Sequence, residues 1–212
     1  MALGASYATL AQLKARLGSS GIAWPDTNDD APLTNALAAA SQSIEGYCGR
    51  QFNDAGAATA RVYYPDDLAT IYTEDFSTSA GLIVAFDFSN SGTYSSVIAA
   101  SNYQLEPLNN IFDGTPNWPF YRIHIIQTWT PIWWTSIGYP RTSIQITAQW
   151  GWATVPPAVV EATLMLGEEI FKMKDSPFGV AGFSQYGAVR VRDNPKVNNM
   201  LARYVRAPIQ VA

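Results

Sequence analysis

The side chains able to do acid–base or nucleophilic chemistry are few and scattered. His124 is the only histidine and Cys48 the only cysteine, so any Ser–His–Asp or Cys–His site would depend on these two residues. His124 lies between Ile123 and Ile125 in a strand-like stretch, on the same face as Arg122. A lone histidine there packs or meets solvent more often than it acts as a base. Cys48 falls near a helix end beside an apolar face and reads as a small buried hydrophobe. Alone it forms no intrachain disulfide and no cysteine zinc cluster. Acidic pairs occur at Asp66-Asp67, Glu74-Asp75 and Glu168-Glu169. Neighbouring residues point to opposite faces of a strand and diverge on a helix, so none is a ready-made carboxylate dyad. Asp66-Asp67 sits in a Pro-containing turn, where solvation is a better reading than weak cation binding. There is no phosphate loop, dinucleotide fingerprint or zincin motif. These observations predict no enzyme, no metal and no cofactor. One binding chemistry is open: Trp129, Trp133, Trp134 and Trp152 could stack on sugars, as in a β-rich carbohydrate-binding module.

The elements that must position these residues fall into three zones. Thr9 followed by Gln12 fits a capping box. Leu10, Leu13 and Leu17 then repeat at helical spacing and Gly18 ends the helix. Asp29 or Asp30 is expected to cap a second helix with Pro32 in its first turn. Leu33, Leu37, Ala40, Ile44 and Tyr47 line one face of it, and Gly49 stops it. From Ala60 to Trp150 the pattern is β-rich. Ile144, Ile146, Ala148 and Trp150 alternate with Ser143, Gln145, Thr147 and Gln149, which marks a half-buried strand. Tyr121–Trp129, Ala60–Tyr64, Thr70–Thr73, Leu82–Phe86 and Asn102–Leu105 are further strand candidates, separated by Gly, Pro, Asn and Ser clusters. Between the last two strands lies Thr130–Pro140, an apolar hairpin tip carrying Ile132, Trp133, Trp134, Ile137 and Tyr139. The third zone opens at Pro156-Pro157 with a helix to about Lys174, whose stripe is Val159, Ala162, Leu166, Ile170 and Met173. A glycine-punctuated loop with Phe178, Phe183 and Tyr186 follows. A last helix is capped by Asn194, starts at Pro195, and has Val197, Leu201 and Tyr204 or Val205 on its apolar side.

The expected fold class is therefore α+β: a small helical bundle from residues 1–58 and 151–212, with an antiparallel β domain inserted over 59–150. The chain of 212 residues is long enough for a proper core. Only 14 % of residues are charged, against about 25 % in ordinary domains, which favours an assembly component over a free monomer. Net charge is −4 but uneven. Residues 176–212 carry five cations against one carboxylate, a surplus of +4 that leaves −8 on residues 1–175. The basic end suits an acidic protein partner. The acidic body disfavours tight nucleic-acid binding. No apolar run of about 20 residues marks a membrane span. The N-terminus lacks a signal-peptide pattern, so the chain is expected in the cytoplasm or in a particle assembled there.

In this order and spacing, the motifs resemble the head–tail connector (head-to-tail adaptor) proteins of long-tailed bacteriophages, of the actinobacterial-phage type. The resemblance rests on Tyr7-Ala8-Thr9-Leu10 through Leu17, on Asp29-Asp30 opening and Tyr47-Cys48-Gly49-Arg50-Gln51-Phe52 closing the second helix, and on Gly151-Trp152 with Pro156-Pro157. It extends to Ser176-Pro177-Phe178-Gly179 with Val189-Arg190-Val191. It covers both ends of the chain, a little under half of it. The resemblance implies a structural virion protein of the neck, forming a homo-oligomeric, dodecameric ring around the DNA exit channel. It implies a portal protein on one side and a stopper or tail-completion protein on the other, with genomic DNA passing without sequence-specific binding. Its alternative is another neck protein, a stopper or tail terminator, though the acid-pair-capped hairpin argues against that. Expected docking or subunit-interface residues are Pro177, Phe178, Phe183, Tyr186, Arg190, Arg192, Arg203 and Tyr204. The tip residues Ile132 to Tyr139 form a second candidate interface. Deleting residues 192–212 is expected to leave a folded subunit that no longer joins the portal.

Overall fold

The computed structural model describes residues 4–18, 24–64, 69–88, 91–126, 142–173 and 194–206. The chain divides into two compact units, Met1–Asn53 with Thr154–Ala212, and Asp54–Ala153. The fold is α+β.

The first unit is helical. Helix α1 (Leu10–Leu17) has the expected capping box: Thr9 Oγ1 accepts from Gln12 N at 3.2 Å and Gln12 Oε1 accepts from Thr9 N at 2.8 Å. Helix α2 (Asp30–Cys48) starts after Asp29, but that carboxylate does not cap it. It accepts instead from Trp24 Nε1 at 3.0 Å, while Asp30 pairs with Lys14 at 2.6 Å. Leu33, Leu37, Ala40 and Ile44 are buried as expected, and the fifth place on that stripe belongs to Cys48, four residues after Ile44, with Tyr47 half-buried beside it. Gly49 ends the helix at φ 62°, a left-handed conformation in which glycine lacks the Cβ penalty.

Helix α3 (Pro157–Lys172) begins at the second proline of the pair and buries Val159, Ala162, Leu166 and Phe171. Met173, expected on this stripe, is exposed, and Phe171 fills the core position at that end. Gly167 sits where α3 approaches its neighbours. A Cβ there would meet Leu37 Cδ2 at 3.3 Å and Leu13 Cδ2 at 3.6 Å, so the missing side chain lets three helices close together. Helix α4 (Pro195–Leu201) is capped by Asn194 Oδ1, which accepts from Lys196 N at 3.1 Å and Val197 N at 3.3 Å. Val197 and Leu201 are fully buried, and Arg206 N donates to Cys48 O at 2.8 Å. Val197, Leu201 and Tyr204 therefore supply part of this unit's core, and a deletion that removes them would open it. That corrects the expectation of a folded truncation.

The second unit is an antiparallel β-sandwich. One sheet has the order β1 (Thr59–Tyr63), β7 (Ser143–Ala148), β3 (Ile83–Asp87), β4 (Ser96–Val97); the other has β2 (Thr70–Phe76), β6 (Phe120–Ile125), β5 (Tyr103–Glu106). β2 runs further than the sequence pattern suggested, because a register shift between Tyr72 and Phe76 lets it continue along β6. The inward positions Ile71, Val84, Phe86, Ile123, Ile125, Ile144 and Ile146 make one apolar cluster between the sheets, closed at one end by Phe76, Phe120 and Trp150. Ala55 N donates to Trp150 O at 2.9 Å, so the segments entering and leaving the unit lie side by side.

Candidate interaction surfaces

The residues that could have carried chemistry are placed apart. His124 is half-buried in β6, its Nδ1 3.3 Å from Thr70 Oγ1 across the strand pair. Arg122, on the same face, bonds Glu106 at 2.8 Å and lies 4.8 Å over the Tyr72 ring. Cys48 is buried in the helical unit, and burial pushes its thiol up to about 12. Glu74 accepts from the Tyr63 hydroxyl, whereas Asp75 is buried and accepts from Trp152 Nε1 at 2.9 Å. Glu168 and Glu169 diverge on α3 as helical neighbours must. Burial pushes the Glu168 carboxyl up, but bonds from Lys172 at 2.5 Å and Arg16 at 2.8 Å outweigh it and leave it below the ordinary range. Burial and then the Glu168 charge raise Glu169, with the Asn194 bond opposing them. Asp66-Asp67 lies outside the described residues. Among the described residues no three metal-binding side chains gather, and no helix is long and apolar enough to cross a membrane.

Trp152, one of the four candidate sugar platforms, is not one. It is buried, packed edge-on to Trp118 at 4.9 Å, and its indole N–H is taken by Asp75. Trp129, Trp133, Trp134, Ile132, Ile137 and Tyr139 lie outside the described residues. So do Pro177, Phe178, Phe183, Tyr186, Arg190 and Arg192.

Of the expected docking residues, Arg203 and Tyr204 are described, and their roles separate. Arg203 is exposed, its guanidinium 5.9 Å from the Tyr204 ring centroid. Tyr204 is only 7 % exposed and meets Phe52 edge-on at 5.8 Å. Phe52 in turn meets Tyr7 at 5.6 Å and 87°. The Tyr7 hydroxyl accepts from Phe52 N at 3.0 Å and donates to Glu45, while Tyr7 N donates to Ser41 Oγ at 3.1 Å. The tyrosine that opens the motif and the phenylalanine that closes it are thus one contact, on which the C-terminal segment rests. Nearby, Asn194 Nδ2 donates to Glu169 Oε1 at 2.9 Å, joining the last turns of α3 to the cap of α4. Arg16 bridges α1 to α3 through Glu161 at 2.5 Å and Glu168 at 2.8 Å.

Two exposed surfaces of the β-unit escaped the sequence reading. The outer face of the four-stranded sheet carries Val62, Ile83 and Val97, which are 46 %, 46 % and 59 % exposed. They stand in two cross-strand rows, Val62–Gln145–Ala85–Val97 and Ala60–Thr147–Ile83. The second surface is the loop after β5, which exposes Leu108, Ile111 and Phe112 at 54 %, 50 % and 37 %. Its backbone is fixed by positive φ at Asn109, Asn110, Asp113 and Asn117, between 47° and 60°. Phe112 and Thr115 exchange backbone bonds at 3.1 and 2.9 Å, Trp118 N donates to Asn110 O at 2.9 Å, and the Phe112 ring leans on Trp118 at 4.8 Å. The Asn-Asn and Asp-Gly pairs were the available signal, since these residues tolerate the left-handed conformation.

No protein-family model matches the chain, and no curated protein matches its sequence. Solved structures do match. A chain in the neck of an empty GTA particle, computed with C6 symmetry, shares 18 % identity at a TM-score of 0.57, covering 100 % of this chain and 96 % of that one. A chain in the virion of a native gene transfer agent (GTA) particle shares 18 % identity at a TM-score of 0.54 over the same spans. At this identity the likeness is one of fold, and it runs through both units.

Proposed function

We propose that this chain is a structural component of the neck of a tailed phage or phage-like particle, and within the neck a head-to-tail adaptor. The observation that carries the reading is the end-to-end likeness of fold to a chain of a GTA particle neck. A shared helical motif alone would leave the inserted β-unit unmatched; here the match spans both units. The adaptor assignment is supported by the Tyr7–Phe52 contact, which gives a physical reason for the motif order seen in the connector family. A ring of copies, dodecameric by that resemblance, would sit between a portal protein and a stopper or tail-completion protein. Low charge suits surfaces that mate with neighbours. The acidic body suits a channel that DNA crosses without sticking. Arg203 remains the described residue best placed for portal docking, with Tyr204 supporting it from the core. Assembly would take place in the host cytoplasm, and no substrate is turned over.

The test is complementation. Particles made without this protein should regain tails when the purified chain is added, and cryo-EM should show neck density that depends on it. Arg203→Glu should lower tail attachment while leaving the melting curve unchanged. Tailless particles after addition of the folded native chain would refute the reading.

A further inference from the structure

We propose that Asn194 is a positioning residue for Arg203: its amide clasps the C-terminal segment, residues 194–206, to α3 and so sets which side chains that segment buries and which it presents. This rests on the docking role given to Arg203 above.

Both ends of the Asn194 amide are engaged, and the residue is only 8 % exposed. Oδ1 accepts from Lys196 N and Val197 N and starts α4, which leaves Nδ2 to donate to Glu169 Oε1 at 2.9 Å. One side chain thus begins the helix and ties it to α3. At the other end of the segment, Arg206 N closes onto Cys48 O at 2.8 Å. A helix as short as α4 does not hold in water by itself, so it keeps its shape only while it is seated.

The seat leaves a choice that the clasp settles. Val197, Leu201 and Tyr204 follow one helical stripe, but Val205, four residues after Leu201, would continue it as well. The structure buries Tyr204 to 7 % exposure and leaves Val205 at 38 %. Seating Val205 instead would turn the segment by about one residue, roughly 100°, and would carry Arg203 round with it. Asn194 meets Glu169 in one rotation of the helix only, so fixing the first residue of the segment excludes that turn. Arg203 then stands in solvent beside Tyr204, its guanidinium 5.9 Å from the ring centroid.

Asn194→Asp separates the two jobs. Aspartate caps a helix as well as asparagine does, but here it sets a second carboxylate against Glu169. Cys48 lies under the segment, bonded to Arg206 N and with its thiol near the Tyr204 phenol, so maleimide labelling of the native chain reports opening. Asn194→Asp should speed that labelling by roughly tenfold and lower tail attachment to particles lacking the protein. Glu169→Gln in the same chain should restore both, because its amide can donate to the aspartate. Glu169→Ala, which leaves the cap intact, should repeat the loss. Adding Asn194→Asp to Arg203→Glu should lower attachment no further than Arg203→Glu alone, since a positioning residue acts through the residue it positions. Unchanged labelling in both Asn194→Asp and Glu169→Ala, no recovery with Glu169→Gln, or a loss that adds to that of Arg203→Glu overturns the inference. Native protein that restores no tails overturns the docking reading and the part of Arg203 in it, and labelling alone then decides whether the clasp holds the segment.

Discussion

Replacing Tyr7 by phenylalanine tests the hub of the helical unit. The ring and its edge-on contact with Phe52 at 5.6 Å remain, and only the hydroxyl goes. That hydroxyl is the acceptor for Phe52 N at 3.0 Å and a donor to Glu45. Removing the acceptor from a buried amide costs about 1–3 kcal/mol. The Glu45 carboxylate is half-buried and can turn to water, so its loss adds little. The expected cost is about 2 kcal/mol. For a unit of roughly 110 residues that corresponds to a fall in Tm of roughly 8–12 °C, and to about half of that if both units melt together. Thermal and urea unfolding at neutral pH, followed by circular dichroism, would measure it. Tyr7→Leu should cost more, because it also removes the aromatic contact. The pH profile adds a second reading. Burial, with the Glu45 bond next, holds the phenol above its ordinary 10.0 in the folded chain. A raised folded value lends stability that is complete below pH 10 and lost as the pH climbs through the folded value. Tyr7→Phe should therefore flatten the alkaline fall in stability. A change below about 0.5 kcal/mol, or a Tyr7→Leu variant no worse than Tyr7→Phe, would refute the account of the hub.

Glu168→Gln should weaken the link between α1 and α3 by about 0.5–1 kcal/mol at neutral pH, an effect reduced by salt. Because the folded chain lowers this carboxyl from 4.5, its contribution is present above that value and fades as the pH drops below it; the variant should lose less stability on acidification. Cys48 should resist a maleimide at pH 8 in the native protein and react fully in denaturant, since its thiol is buried and raised to about 12; native-state labelling within minutes would contradict the burial. Gly167→Val should destabilise by about 2–3 kcal/mol, because its side chain would press on Leu37 and Leu13 and cannot move without separating the helices. Urea titration would report it, and an unchanged midpoint would show that α3 is less closely packed there than described.

Local signals were legible in the chain, and long-range choices were not. The Thr9–Gln12 box, the Gly49 stop, the Pro156-Pro157 start and the Asn194 cap each depend on residues within a turn of one another, so the sequence pattern revealed them. The Ser143–Trp150 alternation was equally clear, because its buried side faces a continuous core. Asp29 or Asp30 was read as a cap because the residue pattern does not show that Trp24 takes the first carboxylate and Lys14 the second. Tyr204 was read as a docking aromatic because its partner, Phe52, is distant in sequence. Trp152 was counted as a sugar platform for the same reason, its partners Asp75 and Trp118 being far away along the chain. The two-residue strand β4 has no period to detect, and it is a strand only because β3 lies beside it. The exposed loop after β5 was missed since a cluster of asparagines signals a turn without saying which side chains it lifts into solvent.

The bond from Ala55 N to Trp150 O clasps the inserted β-unit at its doorway. An insert held shut at its own neck behaves as a cassette: it can lengthen, shrink or be exchanged without pulling α2 and α3 out of register. The helical unit can then keep its own core while the cassette is reshaped.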